Sequence, residues 1–398
     1  MLPVALSGVG KLQSVELWEA QTELQASIET ATRQHAKKPV LYVRVLADDA
    51  EGWGEVGALE DASGRDPSLD QVRRVLEDKW IPTLGAAARS RGGRTIESHT
   101  VSLLGGSDPR DLVACAAIEM AILDAELRSH SLSVSAWLGQ ETRQVAFGGL
   151  VGLRRDSSTN IEVEQAARLL ESGASRIRVK VAPGHCVEPL AAIRSLDSGV
   201  ALHGDANESF DPSFGNPASL DELHALDTLE LTCLEQPYLA SNLTGSATLC
   251  KEIKTPVCLD ESISSLRAAR DAIRYEAAQA LCLKPSRLGG VRVALGVLSQ
   301  AEEAGLACFF GGLFETGLGR ALLGSLAALP AATLISDVGA PSLYLTEDPC
   351  ALAGPLDRAQ PLYLEPGVGP WPQEAYRRLA YSWTVGDSPR TYDRSDTL

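Results

Sequence analysis

The stretch Arg176-Ile177-Arg178-Val179-Lys180-Val181 and its two successors, Gly199-Val200-Ala201-Leu202-His203-Gly204-Asp205 and Glu230-Leu231-Thr232-Cys233-Leu234-Glu235, decide the fold. Each is a short apolar or β-branched run with a charged residue at or near its end, which reads as a buried strand. Working outward, similar runs stand at Ala146–Leu153, Pro256–Asp260, Ala280–Lys284, Leu306–Phe310 and Thr333–Asp337. Segments of helical periodicity lie between them, such as Ile161–Leu170, Ser219–Ala225 and Val291–Ala304. Strands that alternate with helices imply a parallel sheet. Eight such units fit a closed barrel over residues 141–352.

The first 140 residues read differently. Val40–Leu46 and Trp53–Val56 are strands of a meander turned at Asp48, Asp49 and Gly52, and Asp111–Arg128 is a long helix. This is an α+β module. The tail, 353–398, has many Pro and Gly and no further strand–helix unit, so it is expected to pack back on that module.

Composition narrows the function. A net charge of -16 opposes a nucleic-acid backbone or an anionic membrane surface as partner. It leaves room for a small anionic substrate if cations line a pocket. The 8 cysteines form no CxxC pair and no zinc-like spacing. Cys233, Cys258, Cys282 and Cys308 sit in apolar runs, as buried free thiols of a reducing compartment do. With no basic stretch followed by an apolar segment at the N-terminus, a cytoplasmic protein is expected.

Catalytic groups of a barrel sit at the C-terminal ends of its strands. There the chain places Arg178-Val179-Lys180, Asp205-Ala206-Asn207, Glu235-Gln236-Pro237, Asp260-Glu261-Ser262 and Lys284-Pro285. The order is cation, carboxylate, carboxylate, carboxylate, cation. Three carboxylates on adjacent strands repel one another unless a cation lies between them. An oxygen-only set suits a hard divalent ion, Mg²⁺ or alternatively Mn²⁺. Such an ion stabilises the charge built when a proton leaves the carbon next to a carboxylate. A lysine flanked by cations and partly desolvated has a lowered pKa and can take that proton. Two bland readings stand beside this one. His203 is expected to be a hydrogen-bonded interior group, and Trp53 to be core.

These strand-end residues resemble the enolase superfamily, in its muconate-lactonizing-enzyme branch. The branch carries Lys-x-Lys on strand two, Asp, Glu and Asp metal ligands on strands three to five, and Lys on strand six. The resemblance implies a modified TIM barrel, (β/α)7β, with an N-terminal α+β capping domain. It extends to Gly52-Trp53-Gly54-Glu55 and Ala117-Ile118-Glu119-Met120-Ala121. Gly311-Gly312-Leu313-Phe314-Glu315-Thr316-Gly317-Leu318-Gly319-Arg320 and Lys284-Pro285-Ser286-Arg287-Leu288-Gly289-Gly290 are similar to o-succinylbenzoate synthases and N-succinylamino-acid racemases. Mandelate-racemase relatives would place a His on strand seven, and none stands there. Asp337-Val338-Gly339 lacks the Asp-x-Asp of dipeptide epimerases.

Carried over residue by residue, the resemblance implies Lys180 and Lys284 as catalytic and Asp205, Glu235 and Asp260 as metal ligands. Arg178, Asn207, Arg287, Gly312 and Glu315 are expected to meet the substrate. The activity implied first is the dehydration that makes o-succinylbenzoate in menaquinone synthesis. Racemisation of N-succinylamino acids is the alternative, with muconate-type cycloisomerisation and a non-catalytic scaffold behind them. Arg178 departs from the usual first lysine, keeping its charge but unable to act as a base. Relatives commonly form oligomers, and Leu322 and Leu326 are expected to face outward for that purpose.

Overall fold

In a computed structural model the chain is described at residues 6–29, 34–48, 50–62, 66–90, 97–102, 106–153, 159–213, 219–356, 358–385 and 387–392. Asp49 lies outside them. From Ala20 to Gln25 side chains turn inward and outward by alternation, with Ala20, Thr22 and Leu24 buried. This pattern belongs to β1 (Leu12–Glu29), which pairs antiparallel with β2 (Gln34–Ala47), itself paired with β3 (Glu51–Glu55). No strand is expected before Val40 from the sequence. The buried residues Leu12, Val15, Leu17, Ala20, Thr22 and Leu24 change phase at the irregularity between Leu17 and Trp18, so no apolar run marks β1.

Among the helices that cover this sheet are α1 (Leu69–Val75) and α2 (Pro109–Ser129). The glycines of Gly52-Trp53-Gly54-Glu55 exist for that contact. A Cβ on Gly52 or Gly54 would stand 2.2 Å from Ala121 O or 2.1 Å from Ala117 O. Trp53, between them, is fully buried and receives Asp124 of α2 at its backbone N–H, 3.0 Å away.

The parallel sheet runs β4 (Gly148–Val151), β5 (Arg176–Lys180), β6 (Ala201–Asp205), β7 (Cys233–Glu235), β8 (Val257–Leu259), β9 (Ala280–Leu283) and β10 (Ala307–Phe310), neighbours in chain order. Helices α3 (Asn160–Glu171), α4 (Val187–Arg194), α5 (Leu220–Asp227), α6 (Leu243–Glu252), α7 (Leu266–Arg274) and α8 (Val291–Glu303) join them, and α9 (Gly317–Ala327) follows β10. Alternation sorts the strand residues. Ile177, Val179, Leu202, Leu234, Leu259 and Leu283 join the main apolar core with the helices, while Cys233, Cys258, Ala280, Cys282 and Phe309 form a separate small cluster. Both faces of these strands are thus largely buried, as a parallel sheet requires.

The eighth expected strand, Thr333–Asp337, is not a ladder strand. It is reduced to one bridge, Phe147 with Ser336. Side chains replace ladder bonds there: the Phe310 N–H donates to Ser336 Oγ at 2.9 Å, and the Cys308 N–H to Thr333 Oγ1 at 3.4 Å. The segment still spans the gap. Asp337 N–H donates to Phe310 O, and Gly148 N–H to Ser336 O. Leu322 and Leu326 also correct an expectation. Both are buried within α9 against the chain's own core, so neither is offered to a partner.

Beyond the barrel, β11 (Arg378–Thr384) pairs antiparallel with β1 and with β12 (Arg390–Thr391). No helix among the described residues is long and apolar enough to cross a membrane.

Candidate active site

Parallel register aligns the charged strand ends. Lys180 of β5 stands opposite Asp205 of β6, which stands opposite Glu235 of β7. Lys180 Nζ donates to Asp205 Oδ2 at 2.6 Å and to Asn207 Oδ1 at 2.7 Å. Arg178, two residues earlier on the same face, reaches Glu235 Oε2 at 3.1 Å, Asp205 Oδ2 at 3.4 Å and Asp337 Oδ2 at 2.7 Å. Across the mouth, Lys284 Nζ donates to Asp260 Oδ2 at 2.7 Å. Arg287 donates to the other oxygen of Asp260 and grips Asp66 with two N–H groups, at 2.9 and 2.8 Å. All five expected catalytic and ligand residues are therefore gathered and buried.

The electrostatics follow from pairing in a dry site. Burial alone would raise the Glu235 carboxyl, but Arg178 and His203 hold it well below the usual range. Burial would lower Arg178, and Asp337, Glu235 and Asp205 outweigh it. Lys284 departs from the expectation of a lowered lysine. Burial pulls it down, yet direct pairing with Asp260 holds its ammonium above the ordinary range. Glu261 is pushed up to about 8, by burial first and then by its neighbour Asp260. His203 is an interior group, fully buried, with Nε2 2.8 Å from Glu235 Oε2.

Do these residues fit a divalent ion? Glu235 and Asp260 present oxygens within 4.8 Å of each other and of Cys282 Sγ, and Asp205 does not join that group among the described residues. Its carboxylate is drawn to Lys180 instead. Burial, with Asp260 and Glu235, pushes the Cys282 thiol well above its usual range, and a hard cation prefers the oxygens beside it to sulfur. Glu261 Oε2 is buried without a hydrogen-bond partner beside this set. A hard cation among oxygen donors fits both observations.

The cavity over these groups has two characters. Arg178, Lys180, Lys284 and Arg320 bring cations to it beside the carboxyl groups of Asp66, Glu261 and Asp337, and Leu59, Leu150, Leu313, Phe314 and Tyr344 form an apolar wall. Phe314 and Tyr344 meet edge to face at 5.7 Å. Asn207 and Gly312 line it too. A side chain at Gly312 would collide with Glu315 Oε2 at 2.8 Å and with Arg320. Glu315 and Arg287, both expected to touch substrate, do not line this cavity. Glu315 accepts from Leu313 N–H at 2.7 Å and pairs with Arg320, so it shapes the wall from behind. Arg287 is occupied by two aspartates.

Several functional residues escape a reading by strand ends. Asp66 belongs to the segment before α1, and nothing local marks it. Asp337 was noted only for what it lacks, yet it binds both Arg176 and Arg178. Gln236 accepts from Asp260 N–H at 2.8 Å and Ser262 N–H at 3.1 Å, and donates to Tyr238 O at 2.7 Å. It shapes the Asp260-Glu261-Ser262 turn. Asn207, Gln236 and Phe314 all hold left-handed backbone, φ 41°, 39° and 57°. Such strain gathers at functional mouths.

Comparison with known proteins agrees with the geometry. The family model for enolase C-terminal domain-like proteins matches residues 162–380. An N-succinylamino acid racemase of Amycolatopsis sp is 35% identical over 363 residues, 90% of this chain and 94% of that protein. An o-succinylbenzoate synthase of Enterococcus faecalis is 29% identical, over 85% of this chain and 89% of its own. A crystal structure of an enolase-superfamily member from Enterococcus faecalis V583 superposes with a TM-score of 0.81 at 26% identity, covering 95% of this chain and 100% of that one. With a lysine and three carboxylates ending successive barrel strands and a second lysine across the mouth, the chain belongs to the enolase superfamily and is one of its enzymes.

Proposed function

We propose that this enzyme removes a proton next to a substrate carboxylate, with Asp205, Glu235 and Asp260 holding one Mg²⁺. The family resemblance implies that ion for these three carboxylates, and Glu235 and Asp260 lie close enough to share it. When bound, it would act as a Lewis acid toward the second negative charge that builds on the substrate carboxylate. One observation carries the reading: Lys180 and Lys284, on well-separated strands, line the same cavity.

The substrate assigned first is the hydroxylated ring precursor of o-succinylbenzoate. Lys180, neutral, takes the α-proton and becomes an ammonium. It then returns that proton to the departing hydroxide, and water leaves. Lys284 needs only its charge, which Asp260 maintains. Arg178 keeps a positive charge in the cavity without acting as a base. The apolar wall suits a ring. Racemisation of N-succinylamino acids is the second reading, supported by the relative at 35% identity and by the two lysines. There one neutral lysine takes the α-proton and the other, as an ammonium, delivers one to the opposite face.

Purified enzyme should be assayed for both reactions, and α-proton exchange of each N-succinylamino-acid enantiomer followed in deuterated water. Lys180→Ala should lower both reactions by about a thousandfold or more. Lys284→Arg should retain some dehydration and lose exchange of one enantiomer while keeping the other. Exchange of both enantiomers at wild-type rates in Lys284→Arg overturns the two-base assignment. Full activity in excess chelator overturns the metal assignment.

A further inference from the structure

Arg287 has more donors than one carboxylate can use. Its Nε and Nη2 form a two-pronged grip on Asp66, one prong to each carboxylate oxygen, at 2.9 and 2.8 Å. Its remaining arm, Nη1, meets Asp260 Oδ1. Asp260 Oδ2 is thereby left for Lys284 Nζ at 2.7 Å. The four groups form a chain, Asp66 to Arg287 to Asp260 to Lys284. Arg287 is 4% exposed, so water cannot stand in for a lost partner. Asp66 comes from the N-terminal part of the molecule, two residues before Ser68, which forms a bridge with Leu59 ahead of α1, and it lines the cavity beside Lys284. Lys180 donates its hydrogen bonds to Asp205 and Asn207, and it meets Asp66 only through charge, more weakly than Lys284 does.

We propose that Asp66 is a positioning residue for Lys284. By holding the Nε–Nη2 edge of Arg287 it turns Nη1 toward Asp260 Oδ1, and so decides which oxygen of Asp260 the lysine meets. The inference rests on the two-lysine reading above and deepens it, because the hydrogen-bonded chain from Asp66 ends on Lys284 and not on Lys180. A guanidinium prefers two parallel bonds to one carboxylate. Released from Asp66, Arg287 takes both oxygens of Asp260, and Lys284 loses its place.

Two experiments test this. In the first, α-proton exchange of each enantiomer of N-succinylphenylalanine is measured in deuterated water with Mg²⁺ for wild type, Asp66→Asn and Asp66→Glu. The enantiomer served by Lys284 is the one whose exchange Lys284→Arg abolishes. In Asp66→Asn its exchange should fall about tenfold or more, while the other stays within about twofold. Asp66→Glu, which keeps the two-oxygen grip on a longer arm, should recover part of the loss. Equal slowing of both enantiomers, or slowing of neither, overturns the proposal. In the second, a crystal structure of Asp66→Ala should show Arg287 turned onto both oxygens of Asp260 and Lys284 Nζ displaced. An unmoved Lys284 overturns the proposal without reference to any substrate. If wild type exchanges neither enantiomer, the functional reading fails, and the crystal structure alone decides the role of Asp66.

Discussion

Glu55 shows how much one buried carboxylate can organise. It ends β3, and its oxygens accept the Thr316 N–H at 2.9 Å, the Thr316 hydroxyl at 2.8 Å and the Gly319 N–H at 3.1 Å. A carboxylate from the antiparallel sheet thus caps α9 of the barrel, where the helix dipole favours negative charge. Burial and nearby Glu315 nonetheless push its pKa up to about 7, against the pull of Lys38 and the hydrogen bonds from Thr316. The folded state therefore holds this proton more tightly than the unfolded chain does. That contribution is fully present below the ordinary carboxyl value and is lost as pH rises through about 7. Glu55→Gln removes the titration. Its destabilisation, measured by urea unfolding, should shrink by about 2 to 3 kcal/mol between pH 5 and pH 8. A pH-independent difference would show that Glu55 is ionised throughout. At this scale the sequence was legible where chemistry coincides with a strand end. Lys180, Asp205, Glu235, Asp260 and Lys284 each close an apolar run, so their shared mouth followed from topology. Asp66 and Glu55 were not legible as contacts, because their partners lie more than two hundred residues away and no local pattern encodes a tertiary ion pair.

Among the elements, α8 repeats the device. Glu119 of α2 accepts the Val291 and Arg292 N–H groups at the first turn of α8. Gly290 makes room, with φ 135°, and a Cβ there would stand 1.8 Å from Glu119 Oε2. Gly290→Ala should cost roughly 3 kcal/mol, by backbone strain and by expelling the cap. Glu119→Ala should cost roughly 1 to 2 kcal/mol. Because both changes break one contact, the double variant should cost less than their sum, as a double-mutant cycle in urea measures. Full additivity would separate the glycine from the cap. The two motifs that carried the family resemblance outside the barrel, around Glu55 and Glu119, are thus the two that cap barrel helices. Strand periodicity was legible for seven barrel strands and misleading for the eighth. Thr333–Asp337 has the composition of a strand, but Ser336 and Thr333 side chains take hydrogen bonds that a ladder would make with backbone. β1 was missed for the opposite reason, having strand geometry without an unbroken apolar pattern.

For the whole molecule we propose a division into a capping domain of residues 1–140, completed by 353–398, and a barrel of 141–352. The pairing of β11 with β1 and the burial of Tyr381 and Trp383 in the core beneath the antiparallel sheet support it. Asp124 of α2 adds a tie, accepting from Trp53 N–H, Val368 N–H and Trp371 Nε1–H. Trp383 packs against Gly85, is 3% exposed, and should cost about 3 to 5 kcal/mol when changed to Ala, read from the urea midpoint. A loss below about 1 kcal/mol would mean that β11 is an ornament on an otherwise finished sheet. The pairing has a further consequence, for the order of assembly. Each barrel unit joins strands close in sequence, whereas Ser14 must wait for Thr384. On a growing chain β1 therefore spends the whole synthesis of the barrel with one edge bare, its N–H and C=O groups open to any extended segment nearby. Contact order therefore predicts that the closing of the β1–β11 pair is the slowest and most aggregation-exposed step in making this enzyme, after the catalytic strands have found one another.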